Sequence, residues 1–380
     1  MSNINLYKII MKDKETKNNV AMSSYMFNED EVVEFISLNV ISLNLIYSGR
    51  FDGGIPKGRM SMISAPSMMG KSFIAYGVVR NAQKDGMQVC IIDTERAFNF
   101  KFAESIGVDI SPEKLVVLQE NSIEDIMRII TTITNDIPKE ERKNILFVID
   151  SWGSMVTSKT MDNALVGNDA ADFTIPRKKN NLANIILNTK ATFFIINHVY
   201  DSMNVMGGDP LNIPGGRKII FNCDCVGLGT SRAKDRDSEK NLIGNIITIQ
   251  TFKSRFSKEK SKLKFRIKTE GGLDIFYGML DDALESGVVQ TAKPGYYIRS
   301  HIADDKPISE KNLYNSEFWL PIFKDTDFKD WLKNKYTFSS KLDISEESEV
   351  LDLMNKRKVI DISDMEEEVI ETKKSKKKEV

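Results

Sequence analysis

The chain has 380 residues, 41% of them hydrophobic and 28% charged, which is enough apolar material for a buried core and too much for a disordered polymer. Its 53 Lys and Arg nearly cancel 54 Asp and Glu, leaving a net charge of −1, so any nucleic-acid surface must be local. Three cysteines, Cys90, Cys223 and Cys225, exclude a disulfide framework or four-ligand zinc site, and no apolar run approaches the ~18 residues of a membrane span, so a cytoplasmic setting is expected.

Residues 1–40 begin polar and then carry Val32, Val33, Phe35 and Ile36 in a weak amphipathic pattern, the texture of an attached segment. From Leu43 to Gly58 the chain ends in glycine and proline punctuation and enters a short buried strand, Met60 to Ser64. A helix is predicted from Ser72 to Asn81, turning Phe73, Ile74, Tyr76, Gly77 and Val78 toward other layers. Strands at Gln88–Asp93, Leu115–Leu118, Ile145–Asp150 and Thr192–Asn197 alternate with helices at Ala97–Ile106, Ile123–Thr134 and near Leu182–Thr189. Continuous apolar strands in βαβα order predict an α/β core with a mostly parallel twisted sheet and helices on both faces. Beyond Phe221 the texture becomes antiparallel β, with strands at Cys223–Gly229, Asn245–Phe252 and Lys262–Thr269 and a turn at Glu270-Gly271-Gly272. Cys223 and Cys225, two apart in an expected strand, would pack on one face. From about Ile344 the chain is charge-rich and ends in a lysine block, which predicts a solvated tail.

The strand–helix junction at 60–81 contains the run Ala65, Pro66, Ser67, Met68, Met69, Gly70, Lys71, Ser72, a GxxxxGK[ST] motif with alanine at its first position. Such a loop turns successive backbone N–H groups into a nest for phosphates, assisted by the N-terminus of the following helix. Lys71 would reach the β- and γ-phosphates, Ser72 would hold Mg²⁺, and Gly70 lets backbone approach phosphate where a Cβ would collide. Because Ala65 replaces glycine, the loop start must avoid positive φ. ATP with Mg²⁺ is the expected ligand.

A triphosphatase also needs a carboxylate near the metal, a group that orients water and a γ-phosphate sensor. Asp150 ends the apolar strand ILFVID, where it would bind Mg²⁺. Glu95 lies just past the neighbouring strand, at the carboxyl edge where open α/β sheets bind ligands, and could orient or deprotonate water. His198 follows TFFIIN, immediately before a long segment, so its imidazole could contact a γ-phosphate and move the chain behind it.

The ordered set APSMMGKS at 65–72, IIDTERAF at 91–98, ILFVIDSWGSM at 145–155, FFIINH at 193–198, FKSRFSKEKSK at 252–262 and EGGLDIFYGML at 270–280 resembles the RecA family, and within it the UvsX-type recombinases of tailed phages. The likeness spans about 40 to 335. It implies a RecA-like ATPase core over 41–335, a protomer-docking segment at 1–40 and a charged tail at 336–380. It also implies a helical filament that binds single-stranded DNA, pairs it with homologous duplex and hydrolyses ATP, in the host-cell cytoplasm if phage-encoded. A single-strand-binding protein and a recombination mediator would be its partners.

By position, the resemblance makes Glu95 the water-activating residue, Asp150 the Walker B acid and His198 the γ-phosphate sensor, a histidine in the phage branch and glutamine in the bacterial one. Phe73 adjoins the phosphate loop, while Asn99 and Phe102 fall near the adenine. Lys253 and Arg255 match basic residues that reach a neighbour's ATP. Ser158–Thr174 and Val199–Arg217 match two DNA loops, in which Lys159, Arg177, Lys178, Arg217 and Lys218 would supply charge, Gly215 and Gly216 close approach, and Met203 and Met206 wedges beside bases. The lysine block departs from the mainly acidic tail of the family. A ring helicase of the same core and a non-hydrolysing recombination mediator are the competing readings.

Overall fold

A computed structural model describes residues 33–168, 170–201, 211–212, 216–237 and 239–338. Residues 1–32, Met203, Met206, Gly215 and the charged tail from 339 onward lie outside the described residues, whereas Tyr336, placed at the start of that tail, is a buried helix residue.

The strands Met60–Ala65 (β3), Gln88–Asp93 (β4), Leu115–Leu118 (β5), Ile145–Asp150 (β6) and Thr192–His198 (β7) follow two short paired strands, Phe35–Ile36 (β1) and Ile55–Pro56 (β2). Two further short strands, Tyr200–Asp201 (β8) and Leu211–Asn212 (β9), pair with each other. Cys225–Arg236 (β10), Leu242–Ser254 (β11), Lys262–Lys268 (β12) and Gly272–Leu273 (β13) complete one nine-stranded sheet of order β13-β12-β11-β10-β3-β7-β6-β4-β5. From β10 to β5 every pairing is parallel, and from β10 to β13 every pairing is antiparallel.

Alternation along the central strands feeds two cores. Ile63, Ile91, Val148, Phe194 and Ile196 point to one cluster with Ile74, Val78 and Val79 of the helix Lys71–Lys84. Met60, Met62, Ile92, Phe147, Ile149, Phe193 and Ile195 point to the other, against Ile126 and Ile130 of Ile123–Asn135 and Leu182 and Ile186 of Ile175–Thr189. Strands buried on both faces must be apolar at every position, which is why they read as unbroken runs. In chain order the helices are Ile41–Ser48 (α1), Lys71–Lys84 (α2), Phe100–Ser105 (α3), Ile123–Asn135 (α4), Ser158–Leu165 (α5), Ile175–Thr189 (α6) and Arg217–Asn222 (α7). Leu280–Glu285 (α8), Ser316–Lys324 (α9) and Thr326–Tyr336 (α10) follow, around a three-stranded sheet of Val289–Lys293, Tyr296–Arg299 and Ile308–Ser309. Among the described residues no helix is long and apolar enough to cross a membrane.

Four local expectations need correction. Cys223 is the C-cap of α7 rather than a strand residue, and it packs in the opposite core from Cys225, because β10 begins only at Cys225. The helix predicted from Ala97 starts at Phe100, since the Asp93 carboxylate accepts hydrogen bonds from Ala97 N and Phe98 N and Asn99 caps the helix by accepting from Phe102 N. The segment Ser158–Thr174 contains α5, capped by Thr157, although none of that helix is buried. Ile36, Leu38 and Val40 are fully buried in the first core, so the end of the segment read as an attachment is core material.

Phe194 lies at the centre of β7, fully buried, 6.4 Å ring to ring from Tyr47, whose hydroxyl donates to Met62 O at 2.8 Å. Phe194→Ala should lower unfolding free energy by about 3–5 kcal/mol, read from the midpoint of a denaturant titration.

Candidate nucleotide site

Register aligns the carboxyl ends of the parallel strands. Ala65 of β3 pairs with His198 of β7, Ile196 with Asp150 of β6, and Asp150 with Asp93 of β4. The phosphate loop, Asp150, Glu95 and His198 therefore share one edge of the sheet. Ala65 closes β3 without positive φ, while Met68 (φ 63°) and Gly70 (φ 76°) take the left-handed conformations that curve the loop. The methyl of Ala65 is accommodated because Gly229 on β10 has no side chain: a Cβ there would come within 2.7 Å of the Ala65 Cβ. Pro66, Ser67 and Met69 complete the loop, and Arg232 braces it by donating to Met68 O at 3.1 Å.

Lys71 opens α2, is 7% exposed and donates through Nζ to Ala65 O and Pro66 O, both at 2.9 Å. Burial draws its amine below the ordinary value, against the pull of Asp150 and Glu95. Asp150 is pushed up from 3.8 to about 6 by burial first and then by Glu95 and Asp93, while Lys71 and a hydrogen bond with Ser72 oppose the shift. Three crowded carboxylates beside one lysine leave a site that favours an added cation. No cluster of three His, Cys, Asp or Glu side chains among the described residues is spaced to hold a metal alone. The oxygens of Ser72 and Asp150, hydrogen-bonded to one another, are hard donors that would suit Mg²⁺ shared with a bound phosphate.

Glu95 is the hub of this edge. Its Oε1 accepts from Ser151 Oγ at 2.6 Å and Ser154 Oγ at 2.7 Å, and lies 3.0 Å from His198 Nε2. A carboxylate oxygen can only accept, so Nε2 carries the proton of that contact. Burial works against the charged form of Glu95, yet the two serines and His198 hold its carboxyl below the ordinary range. Ser151 is fixed in turn by Thr94, whose Oγ1 accepts from Ser151 N at 2.7 Å and donates to Ser151 O at 2.9 Å. Thr94, Ser151 and Ser154 were not singled out in the sequence, although both serines lie in the SWGSM run that follows the Asp150 strand. Also missed was Lys179 on α6, 5% exposed, whose Nζ donates to Trp152 O at 2.9 Å and Gly153 O at 3.0 Å and whose amine burial draws down to about 8.

Phe73 and Phe102 meet edge to face at 5.5 Å and line a cavity of about 570 Å³ with Gly271 and Gly272. Asn99 spends its side-chain oxygen on the Phe102 N–H. Lys253 and Arg255 are not brought to Lys71 within the chain. Lys253 pairs across from Val226, which pairs with Met62, so the two basic residues sit about 10 Å or more down the sheet from Ala65, toward its opposite edge. There Lys253 donates to Ile220 O, Phe221 O and Cys223 O at the end of α7, and Arg255 pairs with Asp224 at 3.2 Å. Lys159 and Arg177 are exposed, Lys178 is ion-paired with Glu124, Lys218 is half-buried, Gly216 has φ 90° and Arg217 opens α7.

A RecA N-terminal domain profile matches residues 10–274. The chain belongs to the RecA/UvsX family. The C-terminal domain profile of the bacteriophage T4 recombination and repair protein matches residues 276–332, the part that begins where the large sheet ends. The chain is 29% identical over 353 residues to the recombination and repair protein of Enterobacteria phage T4, covering 88% of this chain and 86% of that one. It is 28% identical over 242 residues to RecA of Ruminococcus albus, covering 63% of this chain and 58% of that protein, and 28% identical over 248 residues to RecA of Lactobacillus delbrueckii subsp. bulgaricus, 64% and 72%. Membership in the RecA/UvsX family implies nucleotide binding, ATPase activity and a role in DNA recombination.

Asp150 gives this site a pH signature. In protein free of divalent cations, folding takes up a proton between pH 3.8 and about 6, so stability falls as pH rises through that window, by about 2–3 kcal/mol at pH 7. Asp150→Asn should recover most of that loss at pH 7 and flatten the slope of stability between pH 4 and 6, measured by denaturant midpoints across pH; an unchanged slope would refute the assignment.

Proposed function

We propose that this chain is an ATP-dependent strand-exchange recombinase that assembles as a helical filament on single-stranded DNA. The observation that carries the reading is the Glu95–His198 contact at the strand edge beside Lys71 and Asp150. In this reading Lys71 trades the carbonyls of Ala65 and Pro66 for phosphate oxygens, and the N–H groups from Ser67 through Ser72 face the same phosphates. Ser72 and Asp150 hold Mg²⁺, which neutralises phosphate charge when bound. Glu95 orients the attacking water and accepts its proton, a role suited to a carboxyl that its neighbours keep ionised. His198 donates from Nε2 either to Glu95 or to the terminal phosphate, and the choice is felt by Val199 and the segment behind it. Phe73 and Phe102 border the cavity that would take the base, and Asn99 serves it by capping the helix that carries Phe102.

Lys253 and Arg255 serve a different protomer. At the far end of their own sheet they have no route to their own phosphate loop, but a head-to-tail neighbour would bring that loop to them. Hydrolysis then requires assembly, because the trans cations stabilise transition-state charge. Lys159, Arg177 and Arg217 are the basic residues offered to the DNA backbone, with Gly216 allowing close approach; the same reading extends to Lys178, once released from Glu124, and to Met203, Met206 and Gly215. Homologous duplex, a single-strand-binding protein and a recombination mediator complete the expected partners.

Complementation tests this arrangement. Arg255→Ala and Glu95→Gln should each lower DNA-stimulated ATP hydrolysis by about 10³-fold or more, and a 1:1 mixture should regain roughly a quarter of wild-type turnover, because about one interface in four pairs an intact Glu95 with an intact Arg255. No recovery would place both residues in one protomer's site. Electron microscopy of the same samples should show helical filaments; closed rings would favour a helicase, and wild-type protein with no DNA-stimulated turnover would favour a non-hydrolysing mediator.

A further inference from the structure

We infer that Lys179 is a positioning residue that ties the segment Ser158–Thr174 to the Glu95 carboxylate, so that strand binding at that segment is felt as a change in the rate of hydrolysis. The inference rests on the functional reading above, in which that segment meets DNA, and it adds the connection by which the contact reaches the chemistry.

The connection is three groups of hydrogen bonds joined by the first turns of α6 and by the stretch Ser151–Ser154. At the base of the segment Asp172 accepts from Thr174 N at 2.8 Å and Thr174 Oγ1 at 2.7 Å through one oxygen, and from Thr157 Oγ1 and Thr160 Oγ1 through the other. One carboxylate thus joins the two ends of the segment. Thr174 is the residue from which α6 starts, and Lys179 lies on the first turns of that helix. Its neighbour Lys178 faces outward to Glu124, which also accepts from Ser158 N at 3.2 Å, so the entry to α5 and the start of α6 share a second anchor. Lys179 faces inward. Its amine bridges the carbonyls of Trp152 and Gly153, and no carboxylate pairs with it among the described residues. Those two carbonyls belong to the four-residue stretch Ser151–Ser154 whose end hydroxyls grip Glu95.

A cation is costly to bury against neutral acceptors alone, because two carbonyl bonds only partly replace water. A methionine of similar length would fill the same space without that cost. What the amine supplies and a methyl group does not is a rigid bracket: two adjacent carbonyls on one nitrogen fix the turn between Ser151 and Ser154. A small shift of α6 along its axis would therefore be transmitted to both serines and to the Glu95 oxygen they hold. Reacting groups misplaced by about 1 Å lose up to about a hundredfold in rate, so the bracket has leverage without touching substrate.

The test is steady-state hydrolysis of ATP by full-length Lys179→Met and Lys179→Gln, with and without an unstructured oligothymidine strand, alongside thermal melts and nucleotide binding. Lys179→Met should keep its KM for ATP within about twofold and should lose about tenfold or more of the strand-stimulated kcat, a clearly larger factor than it loses without the strand. Lys179→Gln, which keeps an N–H donor, should fall between Met and wild type, and it carries the test if the Met variant melts below assay temperature. Wild-type stimulation in a folded Lys179→Met protein would overturn the inference. Equal losses with and without the strand would also overturn it, since they would mark Lys179 as a general support of the site. If wild-type protein hydrolyses ATP without any response to the strand, the functional reading fails first and takes the connection with it.

Discussion

Three hydrogen-bonding groups meet on a single oxygen of Glu95: two serine hydroxyls from the turn after β6 and the imidazole at the end of β7. The two serines come from the end of β6, the imidazole from the end of β7 and Glu95 from just past β4, and they meet because these three strands run parallel and in register, with carboxyl ends within two residues of one level. The nucleotide chemistry of the chain depends on that alignment. Burial alone would favour a neutral carboxyl at Glu95; the surrounding donors reverse the preference and keep it in the form a base requires. Asp150, one strand away and without comparable donors, is driven the other way. In the proposed reading, two neighbouring carboxylates with opposite shifts would divide the work between a base and a metal ligand.

The strands were legible because their physics is local. β6 and all of β4 beyond Gln88 are confined by flanking layers, β5 closes the sheet edge with Leu115 buried and Val116 exposed, and the apolar runs from Gln88, Leu115 and Ile145 mark their limits to the residue. Helix starts were less legible where a side chain ahead of the helix sets them: Asp93 captures Ala97 N and Phe98 N, and no periodicity announces that capture. The opposite fates of Cys223 and Cys225 have the same origin, since spacing of two implies one face only inside a strand and the strand begins at Cys225. Lys71, Glu95, Asp150 and His198, which the structure brings to one edge, could be singled out because each lies at a strand end or in a motif. Ser151, Ser154 and Lys179 were not, because a serine or lysine gains its meaning there only from what it touches across the sheet.

The same register separates Lys253 and Arg255 from Lys71. Antiparallel β10 and β11 carry the chain back toward the entry edge of β3, so these cations and the phosphate loop of one molecule occupy different ends of one sheet. In the proposed reading, a site divided in this way would be completed by a second molecule that supplies the missing charge, and turnover would be a property of the assembly. His198 gives the complementary link inside one molecule. It can serve either Glu95 or a phosphate from the same nitrogen, and the residue after it begins the segment read as a DNA loop.

That exchange is the centre of the account, and strand affinity measures it most directly. Fluorescence anisotropy of a labelled single strand should give an affinity at least tenfold higher with Mg²⁺ and a non-hydrolysable ATP analogue than with ADP, a coupling of about 1.4 kcal/mol or more, and the ratio should fall to near one in His198→Ala. Equal wild-type affinity in the two nucleotide states, or an undiminished ratio in His198→Ala, would contradict it.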